Sequence, residues 1–305
     1  MGKTCLVIIF NHRYDENISK LRMLYRERFS MLIFLVPFYS GNDADVFPVY
    51  EGSFQFSGYL IQVYSRLMEC DADYFLFTGD DCILNPCINE NNVELEFRMS
   101  GKEAFVPRIW EKINSDGRFG WAHARGVSIP FRSRAVRWKS ELPSYEEAMD
   151  RFALFYQGEY EREYTDAFFS RKLDQESETE YFMAIAEFLR LNGGSRKVLY
   201  PLAGGYCDFF AIKRERLFSI ARLNGIFSAM NLFVEVAFPT SIVLEIPREK
   251  VQAANELSNY FSKIVWSESE KEELQSQFKS ISELKQKWPE NVLFMHPIKI
   301  SVLEE

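Results

Sequence analysis

The sequence predicts an α/β fold, with a mostly parallel central sheet flanked by helices and helical insertions in its second half. Three observations predict it. Apolar runs of strand length recur at residues 4–10, 31–36 and 73–77 without polar alternation, the pattern of strands covered on both faces. Stretches of helical spacing separate these runs. Polar residues directly follow the first run, as Asn11, His12 and Arg13, and acidic residues close the third, as Asp80 and Asp81.

Residues 4–10 (TCLVIIF) predict the first strand. Asn17 predicts the cap of a helix in which Ile18, Leu21 and Tyr25 share one face. Residues 31–36 (MLIFLV) predict a second strand, stopped by Pro37. Leu60, Val63, Tyr64 and Leu67 mark a second amphipathic helix, and residues 73–77 (DYFLF) a third strand running into Thr78, Gly79, Asp80 and Asp81. This βαβαβ order implies parallel strands with right-handed crossovers. Ligands of open α/β sheets sit beyond the carboxyl ends of the strands, so both polar clusters are expected at one crevice.

Residues 101–138 show no clear period and read as a loop-rich insertion near the cleft. Ser144 with Glu147, and Ser177 with Glu180, spell capping boxes for two helices, ending near Gly158 and at Asn192, Gly193 and Gly194. Residues 197–200 and 208–212 are β-prone. Ser267 with Glu270 starts a charged helix expected to run to Lys287, and an apolar run at 292–295 leads into His296. We expect one domain over residues 1–305. Its parts are a nucleotide-binding half (1–100), an acceptor-side half with a helical insertion (101–248) and a closing segment (249–305).

Bulk properties exclude several classes. The formal net charge of −8 argues against a general nucleic-acid binder, which needs a basic footprint. Five cysteines contain no CxxC pair, so neither a structural zinc site nor a disulfide framework is signalled. No apolar run approaches the roughly 20 residues of a spanning helix, and no secretory leader is visible. A cytoplasmic protein is expected, with peripheral contact to the inner face of a membrane left open. The 28 Phe read first as core and second as sugar-stacking surfaces.

Four constellations can carry chemistry. Asp80 and Asp81 are adjacent carboxylates that repel unless solvent, a donor or a cation offsets them, and Mg²⁺ or Mn²⁺ bridging to phosphates does so. Gly204 and Gly205 allow close backbone approach, with Asp208 able to accept from a sugar hydroxyl; a tight turn is the alternative. Glu235 lies among Leu232, Phe233, Val234, Val236 and Phe238, where desolvation would raise its pKa toward a general base's range, or where an ion pair would hold it. His296 suits a transition metal, and Lys299 a diphosphate leaving group.

Taken together, VIIFNHRYDENI, FLFTGDDCILNP, GGYCDFFAI with NLFVEVAFPT, and MHPIKIS resemble the bacterial GT-A glycosyltransferases, over nearly the whole chain. The resemblance implies a GT-A-like, Rossmann-related fold. It also implies a nucleotide-sugar donor, a UDP-sugar first, whose sugar moves to a hydroxyl of a glycan or lipid-linked acceptor in surface polysaccharide synthesis. It gives Asn11, His12 and Arg13 to the nucleotide, Asp80, Asp81 and His296 to Mn²⁺ or Mg²⁺, Asp80 and Lys299 to the donor's diphosphate, and Glu235 or Asp208 to the base of an inverting reaction. The family's DxD motif departs here: Cys82 stands where a second Asp would fall after Asp80, and the adjacent pair looks like a DD variant. A sugar nucleotidyltransferase would carry a Gly-rich basic loop where this chain reads NHRYDEN. A non-catalytic sugar or nucleotide binder would not depend on Asp81.

Overall fold

Strands buried on both faces need helices above and below, and the chain supplies them by alternation. The computed structural model describes residues 2–114, 131, 136–169 and 175–304. Its N-terminal third runs β1 (Thr4–Ile9), α1 (Glu16–Tyr25), β2 (Leu32–Pro37), β3 (Val46–Val49), α2 (Tyr59–Leu67) and β4 (Tyr74–Gly79). Then come β5 (Ile83–Leu84), β6 (Ala104–Val106), β7 (Glu111–Lys112), α3 (Tyr145–Tyr156), α4 (Gln175–Leu191), β8 (Ala203–Gly204) and β9 (Phe209–Lys213). The chain continues through α5 (Leu217–Ala229), α6 (Val234–Glu245), β10 (Val251–Ala253), β11 (Phe261–Ile264), α7 (Glu268–Ser276), α8 (Ile281–Gln286) and β12 (Val292–His296).

Among the described residues the main sheet has seven strands, in the order β10-β6-β9-β4-β1-β2-β3. Neighbours from β4 to β3 are parallel, as is β10 with β6. Strand β9 runs against both of its neighbours. A small sheet, β11-β12-β5, has β12 antiparallel to β5.

Successive strand residues point to opposite faces, so residue number sorts the core into two layers. Val7, Ile9, Phe75, Phe77, Phe210 and Ile212 pack on one side with α2, α5 and α6. Leu6, Ile8, Leu76, Phe209 and Ala211 pack on the other with α1 and the C-terminal segment. Much of the Phe content lies here: Phe77 stacks on Phe210 at 4.6 Å, and Phe210 meets Phe238 at 3.9 Å.

Several boundaries depart from expectation. Asn17 is not a cap: the cap position of α1 is Asp15, and Asn17 is turned inward. Strand β3, with Pro48 inside it, carries no strong sequence signal; as an edge strand it tolerates a residue without an N–H. Residues 197–200 form no strand, only an isolated bridge between Lys197 and Glu163. The expected long charged helix breaks into α7 and α8, because the Ser280 hydroxyl accepts from the Glu283 N–H and starts a new helix. Helix α4 begins before Ser177, and the side chains of its expected capping box lie outside those described. The boxes at Ser144–Glu147 and Ser267–Glu270 form. In the expected insertion, β6 and β7 are strands; residues 115–130 and 132–135, including His123, lie outside the described residues. No helix among the described residues is long and apolar enough to cross a membrane.

Phe77 sits in the layer directly beneath the acidic turn. We expect Phe77→Ala to cost about 3–5 kcal/mol, read from the midpoint of urea denaturation at unchanged slope.

Candidate active site

Strand register builds the site. The last β1–β4 pair is Ile9 with Gly79, and the Asp80 N–H continues the ladder by donating to the Ile9 carbonyl at 3.0 Å. Asp80 and Asp81 therefore begin where the parallel strands end, beside Asn11. Because β9 is antiparallel, its amino end reaches this same edge: Phe209 pairs with Thr78, and the Gly79 N–H donates to the Asp208 carbonyl at 2.8 Å. Likewise β12 runs against β5 with Met295 opposite Ile83, which returns His296 to the acidic turn. The Ile298 N–H then donates to the Asp81 carbonyl at 2.8 Å.

One cleft results, lined by Ile9, Asn11, Phe56, Gly79, Asp80, Asp81 and Asp208. His296 Nε2 lies 3.5 Å from Asp81 Oδ1 and 3.7 Å from Asp208 Oδ2. Gly79 keeps the space between these acids open. A Cβ there would come within 3.2 Å of Asp81 Oδ1 and 3.7 Å of the Asp208 Cβ. The His296 ring packs against Tyr206 and Trp266, at 5.3 and 6.1 Å between centroids, and its Nδ1 is buried without a partner.

The electrostatics are strained toward protonation. Burial, and then the charge of Asp81, pushes the Asp80 carboxyl up to about 8, against a lowering hydrogen bond from Asn17. Burial raises Asp208 to about 7, with His296 opposing and Glu235 and Asp81 reinforcing. Burial also raises Glu235 to about 7, opposed by Arg108. Glu235 occupies the first turn of α6, and its carbonyl accepts from the Gly205 N–H at 2.9 Å. Gly204 thus serves packing: a Cβ on it would strike Ile113 at 2.5 Å and lie 3.5 Å from that carbonyl.

Other expected residues are less close. Arg13 is exposed and engaged with Asp15, the Phe38 carbonyl and the Ser40 hydroxyl. His12 is exposed and meets Tyr14 edge-on at 5.9 Å. Lys299 is not brought to the acids. Its exposed side chain lines a separate cavity of about 550 Å³ between α7 and the C-terminal segment, with Lys271, Gln275 and Lys279. Sequence reasoning missed Asn17, Phe56, Tyr206 and Trp266. Tyr206 stood inside the GGYCDFF motif, but nothing in the sequence brings it to His296.

No family model matches the sequence, and no curated protein matches it. Among solved structures, the chain is similar to core-mannan synthase A from Aspergillus fumigatus in a Mn/GDP form. The TM-score is 0.39 and the identity 10%, over 86% of this chain and 76% of that one. Likeness of this degree leaves the chemistry to be argued from the site.

Three acids with folded-state pKa values raised above the ordinary carboxylate value of about 4 bind more protons folded than unfolded. Their contribution is fully present below pH 4 and is lost as pH rises through about 7–8. The metal-free protein should therefore melt at lower temperature at pH 8 than at pH 5.5. Asp208→Asn should flatten this dependence; a wild-type slope in that variant would contradict the assignment.

Proposed function

We propose that this chain is a metal-dependent glycosyltransferase of the GT-A kind, moving a sugar from a nucleotide-sugar donor to a hydroxyl of a glycan or lipid-linked acceptor. One observation carries the reading: Asp80, Asp81, Asp208 and His296 converge at the carboxyl edge of a parallel sheet, the edge where such folds take ligands. A UDP-sugar is the expected donor, and bacterial surface polysaccharide synthesis the expected setting.

The residues suit a divalent cation. Among the described residues no Lys or Arg side chain pairs with Asp80, Asp81 or Asp208, and carboxylate oxygens with one imidazole nitrogen form a donor set for Mn²⁺ or Mg²⁺. Two atoms bound to one such ion at right angles lie about 3 Å apart, close to the His296–Asp81 spacing of 3.5 Å. Among the described residues no group of three or more such side chains stands ready to hold an ion. An ion there would complete its shell with substrate phosphates and water. In this reading Asp80, Asp81 and His296 are the ligands. Bound there, the ion would neutralise charge developing on the departing diphosphate.

The chain's own groups do the rest. The nucleotide lies on the half spanning 1–100, against Asn11, His12 and Arg13, and the acceptor on the half spanning 101–248. With carboxyl groups near neutrality in pKa, Glu235 or Asp208 can take the proton of an attacking acceptor hydroxyl. Glu235 is the better candidate, since Asp208 is drawn toward His296. Lys299, lining its own cavity, is left out of the diphosphate contact.

Two measurements test this. In a thermal-shift panel of UDP, GDP, CMP and dTDP, one nucleotide should raise the melting temperature only with Mn²⁺ present, and Asp81→Ala should abolish that shift without altering the circular dichroism spectrum. A flat panel would count against the whole reading. With the responsive donor, Glu235→Gln should lower turnover by about 10²–10⁴-fold and leave the nucleotide shift intact. Unchanged turnover would move the base to Asp208 or remove it.

A further inference from the structure

We infer that Asn17 is a positioning residue whose side-chain amide, presented from the buried face of α1, holds the Asp80 carboxylate in place for a cation. The inference rests on the metal-binding reading above and deepens it. Asn17 Nδ2 donates to Asp80 Oδ2 at 3.3 Å. Among the described residues it is the one side chain from elsewhere in the chain that bonds this carboxylate. Asn17 is only 6% exposed, and its Oδ1 is buried with no partner.

An apolar residue would suit this position better by burial alone. The other buried residues of α1 are Ile18, Leu21, Leu24 and Tyr25, so Asn17 interrupts an apolar face. It also does no capping, the role its residue type favours at a helix start. What remains is the bond to Asp80, made at the cost of an unpaired amide oxygen.

Helix α1 is a firm base for such a contact. Arg22 bonds Asp43 and Asp45, and Lys20 Nζ donates to the Ser301 and Leu303 carbonyls. The helix is thus tied both to the segment entering β3 and to the C-terminal segment. The backbone of Asp80 is fixed independently by its bond to Ile9. With main chain and side chain each held, Asp80 keeps its place in the lining of the cleft. Partners that orient a ligand in this way are worth about 10–100-fold in metal affinity.

Asn224 supplies the control. It is also a buried helical asparagine, with Nδ2 on the Ile220 carbonyl and an unpaired Oδ1, but it lies on α5 and not among the residues lining the cleft. Mn²⁺ alone is titrated calorimetrically into the wild type, Asn17→Leu, Asn17→Ala and Asn224→Leu, with the metal-free melting temperature of each recorded. Asn17→Leu, or Asn17→Ala should the larger side chain prevent folding, should bind Mn²⁺ about 10–100-fold more weakly. Asn224→Leu should change melting temperature without changing Mn²⁺ affinity. Wild-type affinity in the Asn17 variants would overturn this inference alone. So would an equal loss in Asn224→Leu, since affinity would then follow general stability. A wild type that binds no Mn²⁺ would overturn the metal-binding reading, and this inference with it.

Discussion

Carboxyl groups are concentrated where burial leaves two of them, Asp80 and Asp208, reluctant to ionise. Asp80 lies at a strand end with its carboxyl buried, Asp81 follows it, and the Asp208 carbonyl accepts from the N–H of Gly79, the residue before Asp80. Burial disfavours ionisation of Asp80 and Asp208, and the neighbouring charge of Asp81 disfavours it further in both. Such a cluster persists only if protons, donors or a cation offset it. Asn17 and His296 are the groups set against it, and each keeps one buried polar atom without a partner. The surrounding structure can be understood as whatever is needed to hold these groups together.

Holding them requires rigid support from both sides of the sheet. The aromatic stack of Phe77, Phe210 and Phe238 lies under one face, and Phe209 stacks on Phe294 at 4.3 Å under the other. These contacts join β4, β9, α6 and β12, the elements that carry or flank Asp80, Asp208, Glu235 and His296. Packing and site are therefore one arrangement: the layers that bury the Phe residues also fix the distances between the polar groups above them. The glycines at 79 and 204 belong to the same design, one leaving room for the Asp81 carboxylate and the other for the Ile113 side chain.

Much of this was legible in the sequence, for physical reasons that can be named. Unalternating apolar runs mark doubly covered strands, so β1, β2 and β4 were found within a residue or two. Local capping chemistry was equally readable, as Ser144 with Glu147 and Ser267 with Glu270 both show. Weaker local signals failed. Ser280 restarts a helix inside a stretch whose charge pattern looked continuous, and β3 is an edge strand of four residues containing a proline. Asn17 was misassigned because a helix-start asparagine is ordinarily read by its capping preference, a local property, whereas its partner is 63 residues away.

By itself the sequence determined the alternating α/β order, the acidic turn after the third apolar run and the candidacy of Asp208, Glu235 and His296, all properties carried within a few neighbouring residues. Tertiary structure alone decided which of these groups meet. Strands β9 and β12 run antiparallel to β4 and β5, and that direction brings Asp208 and His296 to the end of the sheet where Asp81 waits. Lys299, three residues beyond His296, faces another cavity. Strand direction and register are set by long-range hydrogen bonding and by the burial of whole layers, and no local window of residues records them.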